Sequence, residues 1–557
     1  MSADRYDLTP LKAPRTAGFA LKLSTALIET RFPGTPIANK LLADVGVDRF
    51  RAAPCEEALA AVHPLFVAGP QTNNGAACPP PNHGSEATGG FQTAAEIAAE
   101  FIRGERTPTE VAEALIHRIQ QTHKEDPSLG AVIAYKVDEI LTSAAESTAR
   151  YQAGAPLGPL DGVPVGVKDE LDQRGYGTTV GTQFMGQTAA GEDATVVARL
   201  RAAGALLFGK LNMHEIGIGV TGINPHHGPA RNPYDRGRVT GGSSSGSAAA
   251  VGAGLCPIAV GADGGGSIRI PASLCGVSGL KATFGRISED GAAPLCWSVA
   301  HVGPIGATVG DVALGYAIMA GVDVKDPNTL YQPQPDLEGY GAPEIEGLRI
   351  GIYQPWFEDA EPSVVAACNA AVDALCAQGA QRVEVCLPDL GLLRTAHMVT
   401  IVSEMLTSMT SQLEADRTVF GHDVRLNLAL AQRLTNADYV KAQRMRGRFF
   451  EHFQGALTRA DIIVTPTTAC TAPKIHKDAL RTGDSDLETL DRIMRYAPAG
   501  NLTGLPGLTI PVGYDDDGLP IGLQIMGPAW SEGRLLGIGA ALERLLTRHA
   551  PPMYVRL

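Results

Sequence analysis

Apolar residues recur along this chain at two spacings, and the spacings alternate. The segment "TPTEVAEALIHRIQ" carries apolar positions three and four apart. It begins with Thr107, then Pro108, with Glu110 three residues after Thr107. That order is a capping box with proline at the first helical position, so it predicts a helix start. "VDEILTSAAESTARYQAG" reads as a second helix, closed by Gly154.

Short β-branched runs then alternate with helical stretches. "VPVGVK" (Val163–Lys168) predicts a strand, "ATVVARLRAAGA" a helix and "LLFGK" a strand. "SAAAVGAGL" reads as a helix of small residues and "PIAVGAD" as a strand. Further strands are predicted at "LRIGIY", "QRVEVCLP", "DIIVTPT", "LTIPVGY" and "GLQIMG", with helices such as "PSVVAACNAAVDALCAQG" between several of them. This alternation predicts an α/β fold: one large domain with a central mixed β-sheet flanked by helices. No internal repeat is visible.

The N-terminal part differs. In "TAGFALKLSTALIETRF", Phe19, Leu23, Ala26 and Leu27 follow an i, i+4, i+7, i+8 stripe, which predicts an amphipathic helix. Lys22, Glu29 and Arg31 interrupt the segment, so it lacks the ~20 apolar residues of a membrane span. A helix packed on the protein's own body is the favoured reading. A dimer contact or a lid over an apolar pocket ranks second. A membrane-surface role ranks third, because such helices usually carry more Lys and Arg. Residues 69–90, "GPQTNNGAACPPPNHGSEATGG", read as a linker. The expected organisation is a helical extension over 1–68, that linker, and the main domain over 91–557.

Composition narrows the partners. The formal charge is −13, which disfavours nucleic acid and anionic membranes. The nine cysteines form no C-x-x-C pair, and their number is odd. They read as reduced thiols in a reducing, cytoplasmic compartment. The start "MSADRYDLTP" lacks the basic-then-apolar pattern of a signal peptide. "GALLFGKL" approaches a phosphate loop, but Leu211 stands where a Ser or Thr would hold Mg²⁺. "HEIGIG" at His214 lacks a second histidine, and the adjacent His226 and His227 point in different directions. No metal and no cofactor are expected.

Three segments carry candidate chemistry. "LDGVPVGVKDELD" ends an apolar strand on Lys168, "TGGSSSGSAAA" opens a helix, and "GADGGGSIRIPAS" sets Ser267 after three glycines. A serine hydroxyl needs a base to become a nucleophile. A buried lysine can serve, because desolvation disfavours its charged form. A second serine can relay the proton. Glycines before Ser267 let backbone N–H groups converge on an oxyanion. "GSSSG" also fits the G-x-S-x-G elbow centred on Ser244, so a serine hydrolase with a His–Asp pair is the runner-up mechanism. The preceding "RNPYDRGRVTG" is turn-like rather than a strand, which weakens that reading. Each segment taken alone leans structural: a solvated lysine, a flexible loop, a glycine turn.

Together, in this order, they resemble the amidase signature family. The likeness runs through "LDGVPVGVKD", "GKLNMHEIGIG", "GPARNPYD", "TGGSSSGSAAA", "GADGGGSIRIPASLCGVSGLKATFGR", "GPIGATVGD", "DIIVTPTTACTAP" and "AGNLTGLPGLTIPVGYDDDGLPIGLQIMG", roughly residues 91 to 545. The resemblance implies a Ser–cis-Ser–Lys triad with Ser267 as nucleophile, Ser243 as the bridging cis serine and Lys168 as base. It implies an oxyanion hole along Gly264, Gly265 and Gly266, and support from Ser244 and Arg269. One departure is Gly264, where many members carry Thr or Ile. Within the family, "TGGSSSGSAA", "DGGGSIRIP" and "DELD" are most similar to the plant-type fatty acid amide hydrolase branch. That branch implies a small-molecule N-acyl amide with an apolar acyl part, such as an N-acylethanolamine. The alternatives are a small-amide, aryl-amide or carbamate hydrolase, the glutaminase subunit of a tRNA amidotransferase, and a catalytically dead binding protein. Acyl length, amine and homodimer formation stay open.

Overall fold

The computed structural model describes residues 6–30, 32–57, 64 and 89–557. The expected linker, 69–90, lies outside the described residues except for Gly89 and Gly90.

Eleven strands form the central sheet. In chain order they are β1 (Val132–Ala134), β2 (Pro164–Lys168), β3 (Leu206–Leu211), β4 (Ile258–Ala262), β5 (Ser278–Lys281), β6 (Val302–Gly306), β7 (Arg349–Ile352), β8 (Gln381–Glu384), β9 (Ile462–Pro466), β10 (Gly507–Tyr514) and β11 (Pro520–Met526). Across the sheet the order is β1-β3-β2-β4-β6-β5-β10-β11-β9-β7-β8. β2 pairs in parallel with β3 and with β4, whereas β4–β6, β5–β6, β5–β10, β10–β11 and β9–β11 are antiparallel. The sheet is therefore mixed, as the alternating pattern predicts.

β2, β3 and β4 are buried at every position, which is what a strand covered on both faces requires. Their apolar side chains, among them Val165, Val167, Phe208, Ile258 and Val260, lie in the main core cluster. A second cluster gathers around a long helix of 27 residues and includes Val399, Met405, Phe449 and Tyr496.

Seven helices frame the site or mark its approach: α1 (Gly18–Ile28), α2 (Gly34–Asp44), α3 (Pro108–Lys124), α4 (Ser245–Gly252), α5 (Arg269–Leu274), α6 (Leu390–Asp416) and α7 (His422–Ala431). α3 starts with the capping box expected at Thr107, whose side chain accepts from Glu110 N. α1 forms where the N-terminal stripe predicts it, but on the opposite face. Leu21, Thr25 and Ile28 are buried, whereas Phe19 is 80% and Leu23 50% exposed. The inner face has the same i, i+4, i+7 spacing. It wins because Leu21 and Ile28 pack with Ala38, Leu426 and Ala429, while Thr25 Oγ1 is close to two backbone carbonyls, Leu21 O and His422 O.

Candidate active site

β2 and β4 are parallel neighbours, so their carboxyl ends lie side by side. Lys168 is the last residue of β2 and Ala262 the last of β4. The fully buried Lys168 Nζ donates to Ala262 O at 3.1 Å and to Ser243 Oγ at 2.8 Å. Glu170 Oε2 stands 2.7 Å from the same nitrogen. Three oxygen atoms thus surround Lys168 Nζ.

Ser243 precedes α4, and the Gly242–Ser243 peptide bond is cis. Its carbonyl accepts from His214 N at 3.1 Å. Ser244 fastens the next turn. Its Oγ donates to Ala262 O at 3.1 Å and accepts from Ala262 N at 3.2 Å, and its N–H donates to Ser267 O at 3.3 Å. Ser244 is wholly buried, which removes it as the nucleophile of an elbow. Ser245 Oγ donates to Asn212 O, and Ser247 Oγ to Val260 O.

Between β4 and α5 the chain bends around Asp263. The Asp263 carboxylate accepts from Gly266 N at 2.6 Å, Ile268 N at 3.1 Å and Asn501 Nδ2 at 2.9 Å. Arg269 clamps it with Nε at 3.0 Å and Nη2 at 3.1 Å. Arg269 also donates to Asn501 Oδ1 and Gln524 Oε1. Burial alone would raise the Asp263 carboxyl, but the adjoining Arg269 guanidinium outweighs it and holds the acid well below the usual carboxylate range. Arg269 therefore acts on Ser267 through the loop that Asp263 ties together.

Gly266, expected in the oxyanion hole, differs from its neighbours in the glycine run. At φ +112° it sits where L side chains are strained, and its N–H is committed to Asp263 Oδ1. Among the described residues, the N–H groups of Gly264, Gly265 and Ser267 have no acceptor in the chain. Gly264 has little room for a side chain. A Cβ there would stand 2.7 Å from Cys296 Sγ.

Ser267 and Gly265 line a cavity of about 220 Å³. Its walls include Leu42, Val45, Ile401, Met405 and Leu426. From the N-terminal extension, Leu11, α2 and Val45 contribute lining residues to this cavity, whereas α1 contributes none. Arg394, Asp491 and Arg495 at the cavity pair with one another at 2.6 and 2.8 Å.

Two side chains at the site have no signal in the motifs. Glu170 is part of "DELD", but nothing in the spacing assigns it to Lys168. His397 arrives from α6 and its Nε2 lies 2.8 Å from Gly264 O. His214, from "HEIGIG", stands 3.3 Å from Asp423, and Glu215 pairs with His226 at 2.9 Å. Among the described residues, no histidine side chain hydrogen-bonds Ser243, Ser244 or Ser267, so the His–Asp mechanism lacks its base.

The family described as Amidase matches residues 110–536. The chain belongs to this family. A fatty acid amide hydrolase of Medicago truncatula is 41% identical over 469 residues, covering 83% of this chain and 77% of the relative. A fatty acid amide hydrolase of Arabidopsis thaliana is 36% identical over 577 residues, covering 98% and 95%. The amidase fold is shared as well. The native peptide amidase of Stenotrophomonas maltophilia superposes with a TM-score of 0.72 at 30% identity, covering 83% of this chain and 98% of that one. The chain is an amide-hydrolysing enzyme of the amidase signature type, and such amidases act on small amide substrates. Among the described residues, no helix is long and apolar enough to cross a membrane.

Proposed function

We propose that this amidase cleaves N-acyl amides with an apolar acyl group through a Ser267–Ser243–Lys168 relay and an acyl-enzyme intermediate. The observation that carries the reading is the 2.8 Å contact of buried Lys168 Nζ with Ser243 Oγ, beside an apolar cavity that Ser267 lines.

In its amine form Lys168 accepts the Ser243 proton as Ser243 takes that of Ser267. Ser267 Oγ bonds to the amide carbon, and the carbonyl electron pair moves to oxygen. In this reading the N–H groups of Gly264, Gly265 and Ser267, which have no acceptor among the described residues, receive the oxyanion, each worth about 3 kcal/mol. As the C–N bond breaks, the relay returns the proton to the leaving nitrogen. Water then repeats the sequence on the acyl-enzyme and releases the acid. Ser244 and Arg269 support the two serine segments from behind.

The apolar walls favour a fatty acyl chain over glutamine, whose two charges would need buried partners of their own. Both cavity arginines, Arg394 and Arg495, already pair with Asp491. The plant relatives named fatty acid amide hydrolases point the same way. The test is hydrolysis of an N-acyl amide panel from short to long chain, with Ser267→Ala as control. Rising kcat/KM with acyl length supports the reading. A preference for short or aryl amides, or ammonia release from glutamine, replaces it with one of the other amidase activities.

A further inference from the structure

His397 is a buried residue of α6 that the relay does not use. Its Nε2 lies 2.8 Å from the carbonyl oxygen of Gly264. A carbonyl only accepts, so Nε2 carries the proton. Burial lowers the imidazole to about 4, so the ring is neutral at ordinary pH. The ring also covers the glycine loop closely. A Cβ on Gly265 would stand 2.9 Å from His397 Cε1.

In a trans peptide the C=O of Gly264 and the N–H of Gly265 share one plane and point in opposite directions. Holding that carbonyl against α6 turns the Gly265 N–H away from it. Gly265, Ser267 and His397 all line the same cavity, and the Gly265 N–H has no acceptor among the described residues. A glycine-rich loop does not hold such an orientation by itself, because glycine explores most of backbone space.

We infer that His397 is a positioning residue for the oxyanion hole, locking the Gly264–Gly265 peptide so that the Gly265 N–H faces the carbonyl oxygen under attack. This rests on Ser267 being the nucleophile. It also accounts for the run of glycines before Ser267, since Cys296 and His397 occupy the space that side chains at 264 and 265 would need.

The experiment compares His397→Phe, His397→Gln and His397→Asn in the full chain, with an N-acyl amide and with an alkyl trifluoromethyl ketone. Ser267 Oγ adds to that ketone, and the resulting tetrahedral oxyanion enters the same hole. Losing one oxyanion donor costs about 10²- to 10³-fold in kcat. His397→Phe is expected to lose kcat on that scale with little change in KM, and to lose ketone affinity in parallel. Gln, long enough to donate to the Gly264 carbonyl, restores most of both, and the shorter Asn does not. The inference is overturned by wild-type kcat in the Phe variant, or by a kcat loss without a loss of ketone affinity. Should the Phe variant fold poorly, equal behaviour of Gln and Asn overturns it too. Fluorophosphonate labelling separates the two levels. If Ser267→Ala abolishes labelling while the His397 variants behave as wild type, only the inference fails. If Ser267→Ala still labels, the nucleophile assignment fails first.

Discussion

Glu170 Oε2 lies 2.7 Å from Lys168 Nζ, two residues further along the chain and just past the end of the strand that carries the lysine. With Ser243 Oγ and Ala262 O it completes the set of acceptors around a buried nitrogen. Leaving one buried donor unmatched costs about 1–3 kcal/mol. Glu170→Ala is therefore expected to lower kcat about tenfold to a hundredfold with KM little changed, as Lys168 loses its hold toward Ser243. Glu170→Gln keeps an acceptor oxygen and restores most of the loss. Equal kinetics for Ala, Gln and wild type would show that the contact does not position the lysine.

Lys168→Ala removes the far end of the relay. Amine leaving groups must be protonated to depart, whereas alkoxides leave more readily. The variant is expected to lose more kcat on an amide than on the ester of the same acid. Side-by-side turnover of the matched pair checks this, and equal losses count against a relay ending at Lys168.

Arg269 neutralises Asp263 in a fully buried pair. Removing one partner of such a pair typically destabilises by about 3–5 kcal/mol. Arg269→Met is expected to fall in that range in denaturant unfolding and to disorder the turn before Ser267. A variant of wild-type stability would mean that Asp263 finds its compensation in Asn501 and the backbone alone.

His397 has a folded-state pKa of about 4, below its ordinary value of 6.5, chiefly because it is buried. The unfolded chain binds more protons at this residue between those values, so its contribution to stability is complete above pH 6.5 and is lost as pH falls toward 4. A shift of that size corresponds to roughly 3 kcal/mol. Buried acids such as Asp311, raised to about 7, oppose this trend, so the readout is a difference. The stability advantage of wild type over His397→Phe should shrink by roughly 3 kcal/mol between pH 6.5 and 4. A difference independent of pH would mean that the imidazole is not held neutral.

Lys168, Ser243 and Ser267 are singled out by the order of three motifs and the family resemblance they carry, whereas periodicity alone reads only the elements around them. The runs "VPVGV", "PIAVGA" and "SAAAVGAGL" predict β2, β4 and α4, and the sheet brings their ends together. β5 and β6 leave no such trace, because Ser278–Lys281 and Val302–Gly306 are short and carry glycine or proline. The buried face of α1 is not the one its stripe predicts, because apolar residues occupy both of its sides and contact with α2 and α7 distinguishes them. Gly266 has the place of an oxyanion donor in the glycine run, yet Asp263, three residues earlier, takes its N–H. No local pattern links His397 to Gly264, since 133 residues separate them.

The central claim is that Ser267, and no member of the serine run at 243–247, forms the covalent bond. Mass-spectrometric mapping after fluorophosphonate labelling of wild type and Ser267→Ala tests it most directly. The predicted result is a single adduct on Ser267 in the wild type and none in the variant. An adduct on Ser243 or Ser244, or undiminished labelling of Ser267→Ala, would contradict it.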